Sequence, residues 1–179
     1  LADEARRLAS VDFSPLYNEK RQLFSVGINI NDKKAGDGCY DIFMSEARTT
    51  SYYAIAKGDV PKEHFKRLAR PLICRSGRIG LASWTGTMFE YFMPALLLPV
   101  KRGSVSNEAL RFCISSQARA QVKGVFGRSE SGYFAFDSRM RYQYKAFGDP
   151  FLGIKNGLEK ELVISPYSSF LILPFSPSR

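Results

Sequence analysis

Three glutamates lie in settings where a carboxylate is unusual. Glu46 lies in the largely apolar stretch YDIFMSEART, Glu90 in MFEYFMP, and Glu130 between glycine and serine residues in GRSESGYF. A buried, unpaired carboxylate is costly, and burial raises its pKa toward the value that a general acid needs. Cleavage of a glycosidic bond requires two carboxyl groups and little else. These residues therefore raise the hypothesis of glycoside chemistry.

Each glutamate also has a structural interpretation. Glu46 could pair with one of the many arginines, because ion pairs also hold buried acids. Glu90 could bond backbone groups that Pro94 leaves free in a helix, or pair with an arginine. Glu130 could be a solvated loop acid. Periodicity alone does not separate these alternatives.

The element predicted to position Glu46 is a helix over residues 40–57. That stretch contains no glycine or proline, and Gly58 follows it at a position typical of a helix C-terminus. In such a helix Glu46, Thr49 and Tyr53 share one polar face with Thr50. A polar stripe between apolar flanks indicates either solvent or a cavity.

The remaining pattern also predicts helices joined by loops, and the fold class is expected to be all-α in one domain. Asp59 is expected to cap a helix over 61–69, and Ser106 a helix over 107–123 that Gly124 closes. Residues 125–155 are expected to form a long irregular loop, of the kind that is usually functional. Further helices are predicted at 3–9, 16–24, 87–98, 157–163 and 166–173, with a loop at 25–39 and a loop or short strand at 72–86.

Aromatic residues are dense in the predicted loops around Glu130. Such side chains suit stacking against sugars, because a pyranose presents apolar C–H patches beside its hydroxyls. The alternative is ordinary core packing. The residues are Trp84, Tyr133, Phe134, Phe136, Tyr142, Tyr144 and Phe147.

The overall composition indicates a globular domain and argues against several classes of function. The chain has 179 residues, 45% of them apolar, which indicates a globular domain. Its net charge of +9 is scattered, without the clusters or motifs of a specific nucleic-acid binder. The cysteines Cys39, Cys74 and Cys113 lack metal spacing and are expected to be buried free thiols. With His64 as the single histidine, we expect no metal or cofactor, and a structural role for His64.

The sequence also bears on location. No apolar run approaches the ~20 residues of a membrane span, and no charged-then-apolar leader precedes the first residues. The chain does not begin with methionine, which together with the missing leader suggests a piece of a longer protein. A cytoplasmic location is expected.

Several segments together carry a family resemblance. The stretches DFSPLYNEKRQLFSVGINI, YDIFMSEART, SWTGTMFEYFMP, RSESGY and YQYKAFGDPFLGIKNGL resemble, collinearly over residues 12–172, the glycoamylase-like domain in the middle of bacterial cyclic β-1,2-glucan synthases. That domain is related to endo-β-1,2-glucanases. The resemblance implies an (α/α)6 toroid, of which this chain would supply only part, and a retaining transglycosylase acting on β-1,2-glucan.

The resemblance also implies site residues and partners. Glu46 would be the acid/base and Glu130 the nucleophile. The cleft would be lined by Asp41, Trp84, Glu90, Tyr142 and Tyr144. The partner would be β-1,2-glucan, with no specific nucleic acid, and the chain would be tethered to the inner membrane through the rest of a larger synthase. An exposed apolar seam left by the missing helices would favour self-association.

One departure from the family pattern leaves an alternative open. This chain has Phe126, Gly127 and Arg128 where the family usually has a Trp-Gly-Ile type of sequence. Arg128 would place a cation beside Glu130 and hold it ionised. The alternative is a non-catalytic glucan-binding or scaffold module that keeps the cleft without complete chemistry.

Overall fold

The computed structural model describes residues 1–176, with only the backbone described at 133–135. Over that range the chain forms six α-helices and seven short β-strands. The helices are α1 (Ala2–Ala9), α2 (Arg48–Lys57), α3 (Glu63–Arg67), α4 (Met88–Leu97), α5 (Val105–Arg119) and α6 (Pro166–Leu171). The strands are β1 (Tyr17–Asn18), β2 (Leu23–Ser25), β3 (Cys39–Tyr40), β4 (Leu72–Arg75), β5 (Arg78–Leu81), β6 (Glu130–Phe136) and β7 (Tyr142–Ala146).

The expected all-α fold is therefore wrong, and so is the (α/α)6 toroid. The strands build three small antiparallel sheets, in the orders β1-β2-β3, β4-β5 and β6-β7. The chain divides into two compact units. The first comprises Leu1–Phe43 and Ala47–Ala69, and the second comprises Met44–Glu46 with the chain from Arg70 onward.

The first unit has a small core around Phe24, Ala54 and Val60. His64 is buried there, with ring nitrogens 3.0 Å from the Gln22 carbonyl oxygen and 2.8 Å from Ser51 Oγ. Burial lowers the pKa of His64. The imidazole is thus a packed, hydrogen-bonded core residue of this unit.

The predicted helix over 40–57 begins eight residues later than expected, at Arg48. Ile42 forms a bridge with Ala69, and the Phe43 amide donates to the Ala69 carbonyl at 2.9 Å. The apolar run is therefore buried as extended chain, because tertiary partners satisfy its backbone. Gly58 does end the helix in the left-handed conformation, at φ 87°, as predicted.

Other predicted boundaries also moved. Residues 16–24 form β1 and β2 instead of a helix, and helix α5 is capped by Ser104, not Ser106. Its C-cap is Ala120 instead of Gly124. Asp59 caps no helix, because its carboxylate accepts from the Phe13 amide and pairs with a lysine. Local signals placed these ends poorly because neighbouring polar residues compete for the same role.

The largest error concerns residues 125–155, where β6 and β7 form a hairpin instead of a loop. Their aromatic residues are typical of strands, but glycine, serine and a β-bulge obscure the alternation. The bulge lies between Tyr133 and Phe136. Near the C-terminus, residues 157–163 reduce to one 3₁₀ turn at Leu158–Lys160.

Two findings concern membrane-spanning helices and the cysteines. Among residues 1–176, no helix combines the length and apolar character needed to cross a bilayer. The three cysteines are unpaired, but only Cys113 is buried, and Cys74 is exposed. The expectation of buried thiols is therefore wrong for Cys74.

Two backbone segments of the second unit approach each other unusually closely. The Gly148 amide donates to the Thr85 carbonyl at 3.1 Å, and the Asp149 amide donates to the Gly86 carbonyl at 2.9 Å. A Cβ added to Gly148 would lie 2.0 Å from the Gly86 carbonyl carbon. Only glycine allows this contact, which fixes the loop that carries Trp84.

We predict that Gly148→Ala destabilises the protein by about 2 kcal/mol or more, because the new methyl group meets backbone that cannot rotate away. Urea denaturation measures this change. Gly27→Ala is the matched control, since no atom lies within 4 Å of its Cβ position. Equal free energies of unfolding for the two variants would contradict the prediction.

Candidate functional site

Glu46 and Glu130 both belong to the second unit. Glu46 lies in a turn just after Met44, which bridges to Ser83, and Ser45 Oγ donates to its carboxylate at 3.2 Å. Glu130 begins β6 and pairs in register with Ala146 of β7. The predicted helical stripe is wrong, because Glu46 precedes the helix. Its carboxylate is instead placed by a tertiary bridge.

The two carboxyl groups interact electrostatically. Burial raises the pKa of Glu130 to about 7, with further contributions from the negative charges of Glu46 and then Glu90. A hydrogen bond with Tyr144 acts in the opposite direction and favours the ionised form. Burial and the nearby negative charges therefore hold the proton of Glu130 to a higher pH than in an ordinary glutamate.

Arg128 does not act as expected on Glu130. Its Nε donates to the Ala120 carbonyl at 3.0 Å, and its amide donates to Gln117 Oε1 at 3.0 Å. The cation therefore sits at the C-terminal end of α5, where the helix dipole favours it. The expectation that Arg128 holds Glu130 ionised is wrong, because the pKa of Glu130 is raised.

The backbone of Glu130 is anchored by residues that the sequence analysis missed. Tyr167 Oη and Ser165 Oγ donate to its carbonyl oxygen at 2.8 and 2.9 Å. Tyr167 Oη also lies 3.1 Å from Ser129 Oγ. These contacts join positions 35 and 37 residues apart, so no local signal identifies them. They fix the point from which the carboxyl group projects.

Glu90 is only 5% exposed, and hydrogen bonds occupy its carboxylate. It accepts from Ser83 Oγ at 2.8 Å, from the Thr85 amide at 3.0 Å and from the Thr87 amide at 3.0 Å. Thr87 Oγ1 in turn caps α4 by accepting from the Glu90 amide, which completes a capping box. The structure thus places Glu90 inside the loop and not on its open surface. The T-x-x-E spacing of Thr87 and Glu90 is the signal that identifies this arrangement.

Three of the expected cleft aromatics are open to solvent. The exposed fraction is 53% for Trp84, 68% for Tyr142 and 63% for Tyr144. Core packing is therefore excluded for these rings, which are available to a ligand. Tyr144 lies beside Glu130. Desolvation raises the pKa of the Tyr144 phenol to about 12, and the negative charge of Glu130 contributes to this rise.

The remaining expected cleft residue, Asp41, belongs to the first unit. Its side chain is exposed, and its carbonyl oxygen accepts from the Ala69 amide at 2.6 Å. The residues that cluster around Glu130 belong to the second unit. Within the described part of the chain, no group of three or more His, Cys, Asp or Glu side chains could hold a metal ion.

Comparison with known proteins identifies a bacterial relative. Over 180 aligned residues the chain is 41% identical to cyclic beta-(1,2)-glucan synthase NdvB of Rhizobium meliloti (strain 1021). This chain is homologous to a segment of that protein. The alignment covers 99% of this chain but 6% of NdvB, so the chain spans a small part of its relative. No family model matches the chain.

We predict that Glu130→Gln makes the protein more stable at pH 8 but not at pH 4. The folded protein binds more protons than the unfolded chain between the ordinary glutamate pKa, about 4.3, and about 7. The free energy of unfolding of the wild type therefore falls as pH rises through this window. Because Glu130 is partly exposed, we expect a gain of only about 1 kcal/mol at pH 8.

Urea denaturation at the two pH values measures this gain. Glu108→Gln is the control, since Glu108 lies in the first turn of α5 and is far in sequence from Glu46 and Glu130. An equal effect of Glu130→Gln at both pH values would show that Glu130 has an ordinary pKa.

We also predict that Glu90→Gln lowers the free energy of unfolding by about 2 kcal/mol or more, because an amide cannot accept the full set of hydrogen bonds. Glu46→Gln is the control, because Glu46 is half-buried and accepts from Ser45. Thermal denaturation compares the two variants. Equal melting temperatures would show that the Glu90 network is not structural.

Proposed function

We propose that this chain is part of a carbohydrate-active domain that acts on β-1,2-glucan as a retaining transglycosylase or glycoside hydrolase. The observation that carries the proposal is the partly buried Glu130, whose pKa is raised by burial and by the charge of Glu46, beside the exposed ring of Tyr144. The substrate class comes from the homology with NdvB, whose name states synthesis of cyclic β-(1,2)-glucan. A place within a larger membrane-attached synthase is part of the proposal.

The proposed reaction has two steps. Glu46, as the acid, protonates the glycosidic oxygen while the Glu130 carboxylate attacks the anomeric carbon, which breaks the glycosidic bond and forms a glycosyl ester. Glu46 then removes a proton from water or from a sugar hydroxyl, whose oxygen attacks the anomeric carbon and releases Glu130. Water gives hydrolysis, and a sugar hydroxyl gives transfer.

The first step requires one protonated and one ionised carboxyl group. Because the pKa of Glu130 is raised to about 7, part of the Glu130 population is ionised at neutral pH, and the hydrogen bond with Tyr144 favours that ionised form. The nucleophile in this proposal is the ionised form of Glu130. A retaining mechanism further requires the carboxyl groups to lie about 5–5.5 Å apart when substrate is bound.

The surrounding residues have supporting roles in this proposal. Trp84, Tyr142 and Tyr144 would bind sugar rings by stacking. Glu90 would act as a positioning residue, because it holds the loop that carries Trp84 and adds negative charge near Glu130.

We predict that Glu46→Gln and Glu130→Gln each reduce turnover of linear β-1,2-glucooligosaccharides by about 10²-fold or more, because each removes a reacting carboxyl group. Mass spectrometry of the products identifies shorter, longer or cyclic glucans. Glu108→Gln is a matched control that should keep wild-type turnover. Isothermal titration should show that both site variants still bind the oligosaccharide.

The outcomes separate the two function classes. Products from the wild type that disappear in both variants would support the catalytic pair. Binding by all proteins without any product would favour a glucan-binding module instead. The absence of both binding and products would contradict the proposal.

A further inference from the structure

The glycine of the SESG sequence has a contact that no other residue type could make. A Cβ added to Gly132 would lie 1.3 Å from Tyr142 Oη, 2.2 Å from Cζ and 2.7 Å from Cε1. The phenol end of Tyr142 thus occupies the place where any other residue at position 132 would put its side chain. Backbone conformation does not explain the glycine, because the φ of Gly132 is not positive.

The strand register shows which side chains share this face. Glu130 pairs with Ala146, and Gly132 pairs with Tyr144. Paired residues project to the same side of a sheet, and so do residues two apart along one strand. The side chains of Glu130, Tyr144 and Tyr142 therefore lie on one face of the β6–β7 hairpin.

Tyr142 crosses this face from β7 toward β6. Its hydroxyl end covers Gly132, while 68% of the residue remains exposed. Along β6, Gly132 lies two residues from Glu130, roughly 7 Å at the usual rise of a strand. An exposed aromatic ring is thereby held close to the candidate reacting carboxylate.

We propose that Gly132 is the positioning residue that holds the Tyr142 ring as the floor of a sugar subsite next to Glu130. This inference rests on the proposed function and adds a specificity determinant to it. The absent side chain leaves room for the ring, and the ring offers its apolar face to the C–H surface of a glucose residue. Tyr144, opposite Gly132, borders the same subsite.

The contact also predicts what an added methyl group would displace. At Gly148 the obstructing atoms are backbone, whereas at Gly132 they belong to the end of a rotatable side chain. Gly132→Ala should therefore keep the fold and expel the Tyr142 ring from β6. Gly148 therefore has a structural role, whereas Gly132 has a role in positioning the Tyr142 ring.

The test compares Gly132→Ala, Tyr142→Ala and the double variant in binding and turnover of linear β-1,2-glucooligosaccharides. Each single variant should raise KM about tenfold with little change in kcat, as expected for the loss of one stacking contact. The double variant should be no worse than either single variant, since both remove the same contact. Tyr142→Phe keeps the aromatic ring, so its KM should rise less than that of Tyr142→Ala.

Two results would overturn the inference. One is a wild-type KM in Gly132→Ala, and the other is additive losses in the double variant.

A ligand-free measurement separates failure of this inference from failure of the proposed function. Nuclear Overhauser contacts between the Tyr142 ring and the Gly132 α-protons should be present in the wild type. If these contacts appear but the wild type binds no β-1,2-glucan, the proposed function fails together with the subsite, and only the packing of the ring stands. If they are absent, the positioning role of Gly132 fails by itself.

Discussion

The second unit depends on one buried carboxylate. A charge as buried as that of Glu90 is tolerated only when donors surround it, and Ser83, Thr85 and Thr87 supply them. The same contacts begin helix α4 and shape the loop that presents Trp84. Glu90 also contributes to the raised pKa of Glu130. A residue that resembles a catalytic acid in the sequence thus stabilises the loop and adjusts the charge of its neighbour.

Close backbone approach is the second constraint on the site. Gly86 and Gly148 let two segments exchange hydrogen bonds with no side chain between them. Gly132 applies the same principle to a side chain, since it makes space for Tyr142. Glycine therefore acts here by the volume that it leaves free, and these positions determine where exposed aromatic rings lie.

The sequence predicted some elements well and others poorly, for identifiable reasons. Helix α4 and the left-handed Gly58 follow local rules, and both were predicted. The hairpin β6–β7 was missed because glycine, serine and a bulge hide its alternation, and Glu46 was placed in a helix because its stretch contains no breaker. Its true position depends on the bridge from Met44 to Ser83, a contact between residues distant in the sequence.

The proposed mechanism depends on the raised pKa of Glu130 and on the nearby charge of Glu46. Carbon-13 NMR titration of the glutamate carboxyl groups, in the wild type and in Glu46→Gln, tests both features most directly. Glu130 is expected to titrate near pH 7 in the wild type and at a lower pH when the Glu46 charge is removed. A wild-type midpoint near the ordinary glutamate value of about 4.3, unchanged in the variant, would show that neither burial nor Glu46 raises the pKa of Glu130.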